Sequence, residues 1–175
     1  RGSPCAGEAE AVKAPVTPPI ELPDGHEAAP GVMVAGQLAP SDIVAARELG
    51  YHTIVNLRPK DEDGFLENEA SLVEDAGLRY VHIPVHKPSE DDVPHGITKA
   101  KAAKLAEALS AEGALPSIVH CSSANRATAL MVLRAVSEGR APEEALEIAD
   151  RTGKKKLVPL LEETLGVKTS TPTKT

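Results

Sequence analysis

The chain has 175 residues, of which 41% are hydrophobic and 26% are charged, a composition typical of one globular domain with a sizeable core. Its formal net charge is −7 and its only aromatic residues are Phe65, Tyr51 and Tyr80, which argues against nucleic acid as a partner because nucleic-acid binding needs positive charge and stacking surfaces. No apolar run is long enough to cross a bilayer, so no transmembrane segment is predicted.

The two ends of the chain differ in composition from its middle. Residues 1–30 are rich in Ala, Pro and Glu and lack helical or strand periodicity, so they are predicted to form a flexible leader. Residues 31–166 form the predicted domain, and 167–175 a flexible tail. The leader would suit an exported protein tethered to a membrane, and a cytoplasmic location fits equally well. Cys5 in the leader and Cys121 in the domain are not expected to form a disulfide.

Strand and helix patterns alternate from residue 31 onwards, separated by Gly and Pro. Strands are predicted at 31–36, 51–57, 79–85 and 115–120. The first helix is predicted to start with Ser41 as its N-cap and to end before Gly50, and later helices are predicted at 65–76, 98–111, 125–137, 142–150 and 158–165. This alternation predicts an α/β fold in which helices flank a single, mainly parallel central sheet, with ligands bound outside the carboxyl ends of its strands.

The pattern of residues in the segment Ile118–Leu133 predicts a buried strand, a short loop and a buried helix. Cys121 ends the strand and Arg126 begins the helix. The loop between them consists of Ser122, Ser123, Ala124 and Asn125. A loop at a helix N-terminus directs backbone N–H groups at an anion, and an arginine adds a planar fork of donors. The same positive environment favours the thiolate form of Cys121, so the segment predicts both an anion site and a nucleophile.

A polar loop, residues 86–96, follows the predicted strand 79–85 and should reach the same edge of the sheet. Its acidic residues Asp91 and Asp92, together with Glu90, are candidate general acids that could protonate a leaving oxygen. A solvated acidic loop is the alternative explanation for the same residues.

Arg58 follows another predicted strand and either enlarges the cationic mouth of the site or forms a surface ion pair with Asp61 or Glu62. His120 precedes the cysteine, so its side chain should face the opposite side of the strand. We expect His120 to order the loop by hydrogen bonding and not to act as a base.

Two further groups have simple structural explanations. His82 and His86 lack a third convergent ligand, so no metal site is predicted. The basic segment 151–156 is interpreted as a solvated helix end, and Lys99, Lys101 and Lys104 as a solvated helix face.

The order His-Cys, four residues, Arg at 120–126 resembles the signature of the cysteine-dependent protein phosphatases, most of which have five intervening residues including a glycine. The spacing and the surrounding sequence are more similar to those of a bacterial dual-specificity-phosphatase-like family, whose members are fused to, or encoded beside, β-lactamase-like hydrolases. Four sequence segments match that family and occur in the same order as in its members: Gly36–Ser41, Thr53–Arg58, Ala76–Val85 and Val119–Arg126. The resemblance extends over about residues 36–165.

This resemblance implies a phosphatase-like fold and hydrolysis of phosphomonoesters through a cysteinyl phosphate, with no cofactor. Cys121 would be the nucleophile, Arg126 the phosphate clamp, and an aspartate of the 86–96 loop the general acid. The substrate would be a phosphorylated small molecule or protein, and the site would take phosphate or sulfate. Ala127 stands where many relatives have Ser or Thr, and the absence of glycine leaves Ala124 or Asn125 to adopt any positive φ.

Two other functions fit the same residues. A gap of four residues between Cys and Arg is also the rhodanese spacing, in which Cys121 would carry a persulfide. A phosphate- or sulfate-binding module without turnover would need only the anion site.

Overall fold

The computed structural model describes residues 14–88 and 96–168. These residues contain five short strands, β1 to β5 in chain order, which cover His26–Ala29, Val32–Ala35, Thr53–Asn56, Arg79–His82 and Ser117–His120. The same residues contain six α-helices, α1 to α6, which cover Pro40–Glu48, Glu69–Asp75, Lys99–Ser110, Asn125–Ser137, Pro142–Arg151 and Val158–Leu165.

The strands form one sheet in the order β1-β2-β5-β3-β4, in which β1 and β2 are antiparallel and every other pair is parallel. The last residues of four strands lie side by side in register: Ala35, His120, Asn56 and His82. The segments that follow them therefore leave the sheet at one edge. This architecture confirms the predicted α/β fold with a mainly parallel sheet.

Helices cover both faces of the sheet and enclose two cores. The larger core lies between the sheet and the helices α3, α4, α5 and α6, and the smaller one involves α1 and α2. The central helix α4 has nine buried residues, which is expected of a helix packed between neighbours on several sides. No helix in the described part of the chain is both long and apolar enough to span a membrane.

Strands β2 to β5 are each two or three residues shorter than predicted, and three further local predictions differ from the structure. Residues 26–29, assigned to the leader, form strand β1, whose pairing with β2 is a long-range contact that local periodicity does not reveal. Ser41 lies inside α1, and its N-cap is Ala39, whose backbone N–H donates to the Asp42 carboxylate at 2.7 Å. Helix α2 begins only at Glu69, after a turn that follows Phe65.

Candidate active site

The loop that joins β5 to α4 begins at the centre of the sheet edge. The backbone N–H of Cys121 donates to the carbonyl of Ala35 at 3.1 Å, and the N–H of Leu57 donates to the carbonyl of His120 at 2.9 Å. Hydrogen bonds to two neighbouring strands therefore fix the start of the loop.

Ala124 adopts the left-handed conformation, with φ of 64°, and is the N-cap residue of α4. This confirms the expectation that Ala124 or Asn125 replaces the glycine. Among residues 14–88 and 96–168, no acceptor receives the backbone N–H groups of Ser122, Ser123, Asn125 and Arg126. Successive N–H groups that lack acceptors at a helix N-terminus are typical of an anion-binding concavity.

Gly36 allows the loop to approach the end of β2. A β-carbon added at Gly36 would lie 3.1 Å from the carbonyl oxygen of Ser122 and 3.3 Å from that of Pro23. The backbone N–H of Gln37 donates to the same Ser122 carbonyl at 3.4 Å. A larger residue at position 36 would push the loop away from the strand.

Both residues of the predicted Cys–Arg pair are buried. Cys121 is 0% exposed and belongs to the larger core, whereas Arg126 is 3% exposed and all its described partners are polar. The intervening Ser122 and Ser123 are half-buried, and Asn125 is exposed at the first position of α4. The thiol is thus buried in the core, whereas the loop residues that follow it reach the surface.

The Arg126 guanidinium makes four hydrogen bonds. Nη1 donates to Glu62 Oε2 at 2.7 Å and to the carbonyl of Val85 at 2.8 Å, while Nη2 donates to Glu62 Oε1 at 2.8 Å and to Ser122 Oγ at 3.0 Å. A guanidinium has five N–H donors, so one of them has no acceptor among the described residues. Glu62 holds the fork in a fixed plane through a bidentate ion pair.

Glu62 is surrounded by three cations. Besides Arg126, its carboxylate lies 3.0 Å from Arg58 Nε and 3.7 Å from Lys87 Nζ. Burial by itself would raise the pKa of Glu62, but hydrogen bonds from Arg126, its positive charge, and Lys87 and Arg58 together hold that pKa below its ordinary value. The sequence suggested Glu62 only as a surface partner of Arg58, and its link to Arg126 is not visible in local spacing.

Arg58 is buried and does not open the mouth of the site. Its Nη1 donates to Gln37 Oε1 at 2.6 Å and to the carbonyl of Gly64 at 2.8 Å, and its Nη2 donates to the carbonyl of Asp63 at 2.5 Å. The predicted pair with Glu62 is present, but Arg58 is only 4% exposed, so it is not a surface pair. Arg58 organises the 59–64 loop and reaches Arg126 only through Glu62.

His120 lies on the side of the sheet that carries α2. Its Nε2 is 2.5 Å from Glu69 Oε1, and Glu69 Oε2 accepts a hydrogen bond from the Gln37 amide at 3.0 Å. Both His120 and Glu69 are fully buried. A hydrogen-bonded chain thus runs from Arg126 through Glu62, Arg58, Gln37 and Glu69 to His120.

The candidate acids Asp91 and Asp92, with Glu90, lie outside the described residues. The described ends of their loop lie beside the site, because the Val85 carbonyl accepts from Arg126 and Lys87 lies near Glu62. The loop closes on itself where the Gly96 N–H donates to the His86 carbonyl at 3.0 Å, and a β-carbon at Gly96 would collide with His86.

Within the described part of the chain, no three His, Cys, Asp or Glu residues are grouped so that they could hold a metal ion. His82 donates through Nε2 to the carbonyl of Arg58 at 2.7 Å and lies against the ring of Phe65. His82 thus supports the backbone at Arg58, where the 59–64 loop begins.

Sequence comparisons identify relatives of this chain. The family model described as beta-lactamase hydrolase-like protein, phosphatase-like domain, matches residues 24–138. The beta-lactamase hydrolase-like protein of Agrobacterium fabrum is 33% identical over 122 residues, which cover 68% of this chain and 26% of that protein. That of Xylella fastidiosa (strain Temecula1) is 30% identical over 118 residues, covering 65% and 25%. The chain spans about a quarter of the length of these curated relatives.

Solved structures share the fold. A candidate phosphatase from Shewanella putrefaciens CN-32 is 20% identical with a TM-score of 0.62, covering 83% of this chain and 93% of that one. The core catalytic domain of the PP-IP phosphatase Siw14 from S. cerevisiae is 9% identical with a TM-score of 0.57, covering 82% and 88%. At these identities the similarity establishes a phosphatase-like fold.

Proposed function

Because the chain belongs to the phosphatase-like domain family of the beta-lactamase hydrolase-like proteins, we propose that it hydrolyses phosphomonoesters with Cys121 as the nucleophile. The observation that carries this proposal is the loop after β5. This loop lies at the carboxyl edge of a mainly parallel sheet, where such folds bind ligands. It places a cysteine before, and a buried arginine after, backbone N–H groups that have no acceptor in residues 14–88 and 96–168.

In the first step the Cys121 thiolate attacks phosphorus, and the bond to the leaving oxygen breaks. Loop N–H groups and Arg126 hold the nonbridging oxygens, on which negative charge is concentrated. The leaving oxygen takes a proton from Asp91 or Asp92. Water then attacks the cysteinyl phosphate and returns a proton to that carboxylate, while the sulfur–phosphorus bond breaks and releases inorganic phosphate.

The charges around Glu62 suit this reaction. Arg126, Arg58 and Lys87 carry three positive charges, and the Glu62 carboxylate balances one of them. With the Cys121 thiolate counted as well, this group of side chains still carries an excess of positive charge, which favours an anionic substrate. We propose that Glu62 positions Arg126, whose remaining donor, together with the loop N–H groups, receives the phosphate.

The test compares wild-type protein with Cys121→Ser and Arg126→Met on p-nitrophenyl phosphate. We expect Cys121→Ser to lower kcat below detection and still to bind vanadate, because the loop N–H groups and Arg126 remain. Arg126→Met should weaken vanadate binding as well. Hydrolysis by Cys121→Ser at the wild-type rate would overturn the nucleophile assignment.

One observation favours a second candidate function, anion binding without turnover: Cys121 is 0% exposed, so the buried thiol does not reach a ligand on the surface of the loop. Wild-type protein that binds vanadate but hydrolyses no phosphomonoester, with a thiol that iodoacetamide does not alkylate, would support this function. Addition of one sulfur to Cys121 after incubation with thiosulfate, detected by mass spectrometry, would instead support sulfur transfer.

A further inference from the structure

The basic turn Lys154–Lys156 lies beside the candidate phosphate loop. Lys155 and Lys156 are exposed, as expected of a solvated helix end, but Lys154 is half-buried. Helix α5 ends at Arg151, and a short 3₁₀ turn, Lys155–Leu157, leads into α6. The Lys154 ammonium donates to the carbonyl of Ser123 at 2.9 Å and lies 3.8 Å from the Asp24 carboxylate. One lysine of the turn therefore contacts the loop between Cys121 and Arg126 directly.

A cavity of about 470 Å³ separates the turn from the start of α4. It is lined by Asn125, Gly153, Lys154, Lys155, Lys156 and Leu157. Its volume lies in the range of small-molecule sites. Asn125 is part of both the phosphate loop and this cavity, so a molecule bound through the loop could extend into it.

The charge of this cavity is opposite to that of the whole chain. The chain carries a net charge of −7, yet the described residues that line the cavity include three lysines and no carboxylate. Lys155 pairs with Asp150 at 2.8 Å, but both side chains are largely exposed, and an ammonium has two more donors. Within residues 14–88 and 96–168, no carboxylate lies within 4 Å of the Lys156 ammonium.

Resting on the proposed phosphatase function, we propose that this cavity binds a second phosphate of the substrate. The preferred substrate is then a small phosphomonoester that carries at least one further phosphate group. Among the described residues that line the cavity there is no aromatic ring on which a nucleobase could stack, so a sugar or polyol is the scaffold that fits it. Lys155 and Lys156 bind the second phosphate as mobile point charges, while Lys154 positions the loop.

The test measures phosphate release from fructose 1,6-bisphosphate and from fructose 6-phosphate. We expect kcat/KM of the wild-type protein to be at least about tenfold higher for the bisphosphate, since one tenfold step corresponds to a single good polar interaction. The double variant Lys155→Gln/Lys156→Gln should reduce this ratio to about two or less and leave p-nitrophenyl phosphate hydrolysis unchanged. Both lysines are exposed, so folding should not depend on them.

The matched control is Lys101→Gln/Lys104→Gln, which removes the same charge from α3 and should preserve the wild-type ratio. A wild-type ratio near one, or an equal loss in both double variants, would overturn the proposal. If no phosphomonoester is hydrolysed, the proposed function fails and calorimetry on the same proteins decides this inference. Tighter binding of the bisphosphate that only Lys155→Gln/Lys156→Gln abolishes would support it, and equal or absent binding of the two sugars would overturn it.

Discussion

Glu62 is the residue on which the electrostatics of the candidate site depend. Arg126 is almost completely buried, and a buried charge without a partner is strongly unfavourable. Glu62 neutralises part of that charge and at the same time fixes the plane of the guanidinium through two hydrogen bonds. The same carboxylate joins Arg126 to Arg58, whose other bonds hold the 59–64 loop. The Glu62 side chain thus links the conformation of the 59–64 loop to the position of the Arg126 guanidinium.

Replacement of Glu62 by glutamine is expected to lower kcat/KM for p-nitrophenyl phosphate by about 10- to 100-fold, because a misplaced catalytic group costs a factor of this order. The matched control is Glu138→Gln, which removes an exposed carboxylate that a half-buried arginine of α4 contacts at 2.8 Å. We expect that control to retain wild-type activity. A Glu62→Gln enzyme that binds vanadate more tightly than wild type would show that Glu62 competes with the anion and does not position Arg126.

The lowered pKa of Glu62 also predicts how stability depends on pH. A carboxyl whose pKa is lower in the folded than in the unfolded chain stabilises the fold above its ordinary value of 4.5, and this contribution is lost as the pH falls towards the folded value. Urea unfolding between pH 6 and 3 should therefore show a steeper loss of stability for wild type than for Glu62→Gln. Parallel curves for the two proteins would contradict this coupling.

At the scale of elements, the unit β5–loop–α4 combines a rigid base with a strained turn. Strand β5 is paired on both sides, and α4 packs against α3 and α5 on the same face of the sheet. Between them Ala124 is held with a positive φ, which costs an L-residue about 1–2 kcal/mol. Packing of the two flanking elements compensates for this strain.

A pair of alanine-to-glycine substitutions measures this strain. Ala124 and Ala129 are both fully buried, but only Ala124 has a positive φ. Ala129→Gly in the middle of α4 should destabilise the protein by about 1–2 kcal/mol through lost helix propensity and a lost methyl contact. Ala124→Gly loses the methyl contact but gains relief of strain, so the two free energies of unfolding should differ by about 1–2 kcal/mol. Equal destabilisation would show that Ala124 is not strained.

At the scale of the whole molecule, residues 14–25 form a strap that ties the sheet together. Thr17 Oγ1 accepts from the N–H of Gly31, and the Tyr51 hydroxyl donates to the carbonyl of Pro18 at 2.6 Å. At its other end the strap reaches the site, because the Pro23 carbonyl accepts from Gly36 at 2.7 Å and Asp24 pairs with Lys154. Contacts of the strap therefore extend from the smaller core to the phosphate loop.

Tyr51 makes the attachment of this strap sensitive to high pH. Burial, and secondarily the charge of Glu27, raises the pKa of Tyr51 to about 12. A phenol whose folded pKa exceeds its unfolded value of 10.0 stabilises the fold at lower pH, and this contribution is lost between pH 10 and 12. Wild type should lose about 2–3 kcal/mol more than Tyr51→Phe over that interval, since each pKa unit corresponds to about 1.36 kcal/mol. Identical losses would exclude Tyr51 as the cause.

Local patterns in the sequence predicted the elements and the family. Periodicity and Gly/Pro boundaries are short-range signals, so the bounds of α4 and α6 were predicted as the structure has them, and the alternation of strand and helix predicted a mainly parallel sheet. Four sequence segments spread over the chain predicted the family, which the family model confirms. The left-handed residue in the loop followed from the absence of glycine between Cys121 and Arg126. The roles of Cys121, Arg126, Asp91 and Asp92 stay predictions.

Only the tertiary structure decided which distant residues meet. The pairing of Glu62 with Arg126 joins residues 64 positions apart, and the contact of Lys154 with Ser123 joins residues 31 positions apart. The placement of β1 at the sheet edge and the burial of Arg58 likewise depend on packing. Such contacts arise when crossover connections bring strand ends to one edge, and no local spacing encodes them. The sequence by itself determined the loop between Cys121 and Arg126, and the fold determined which charged side chains surround that loop.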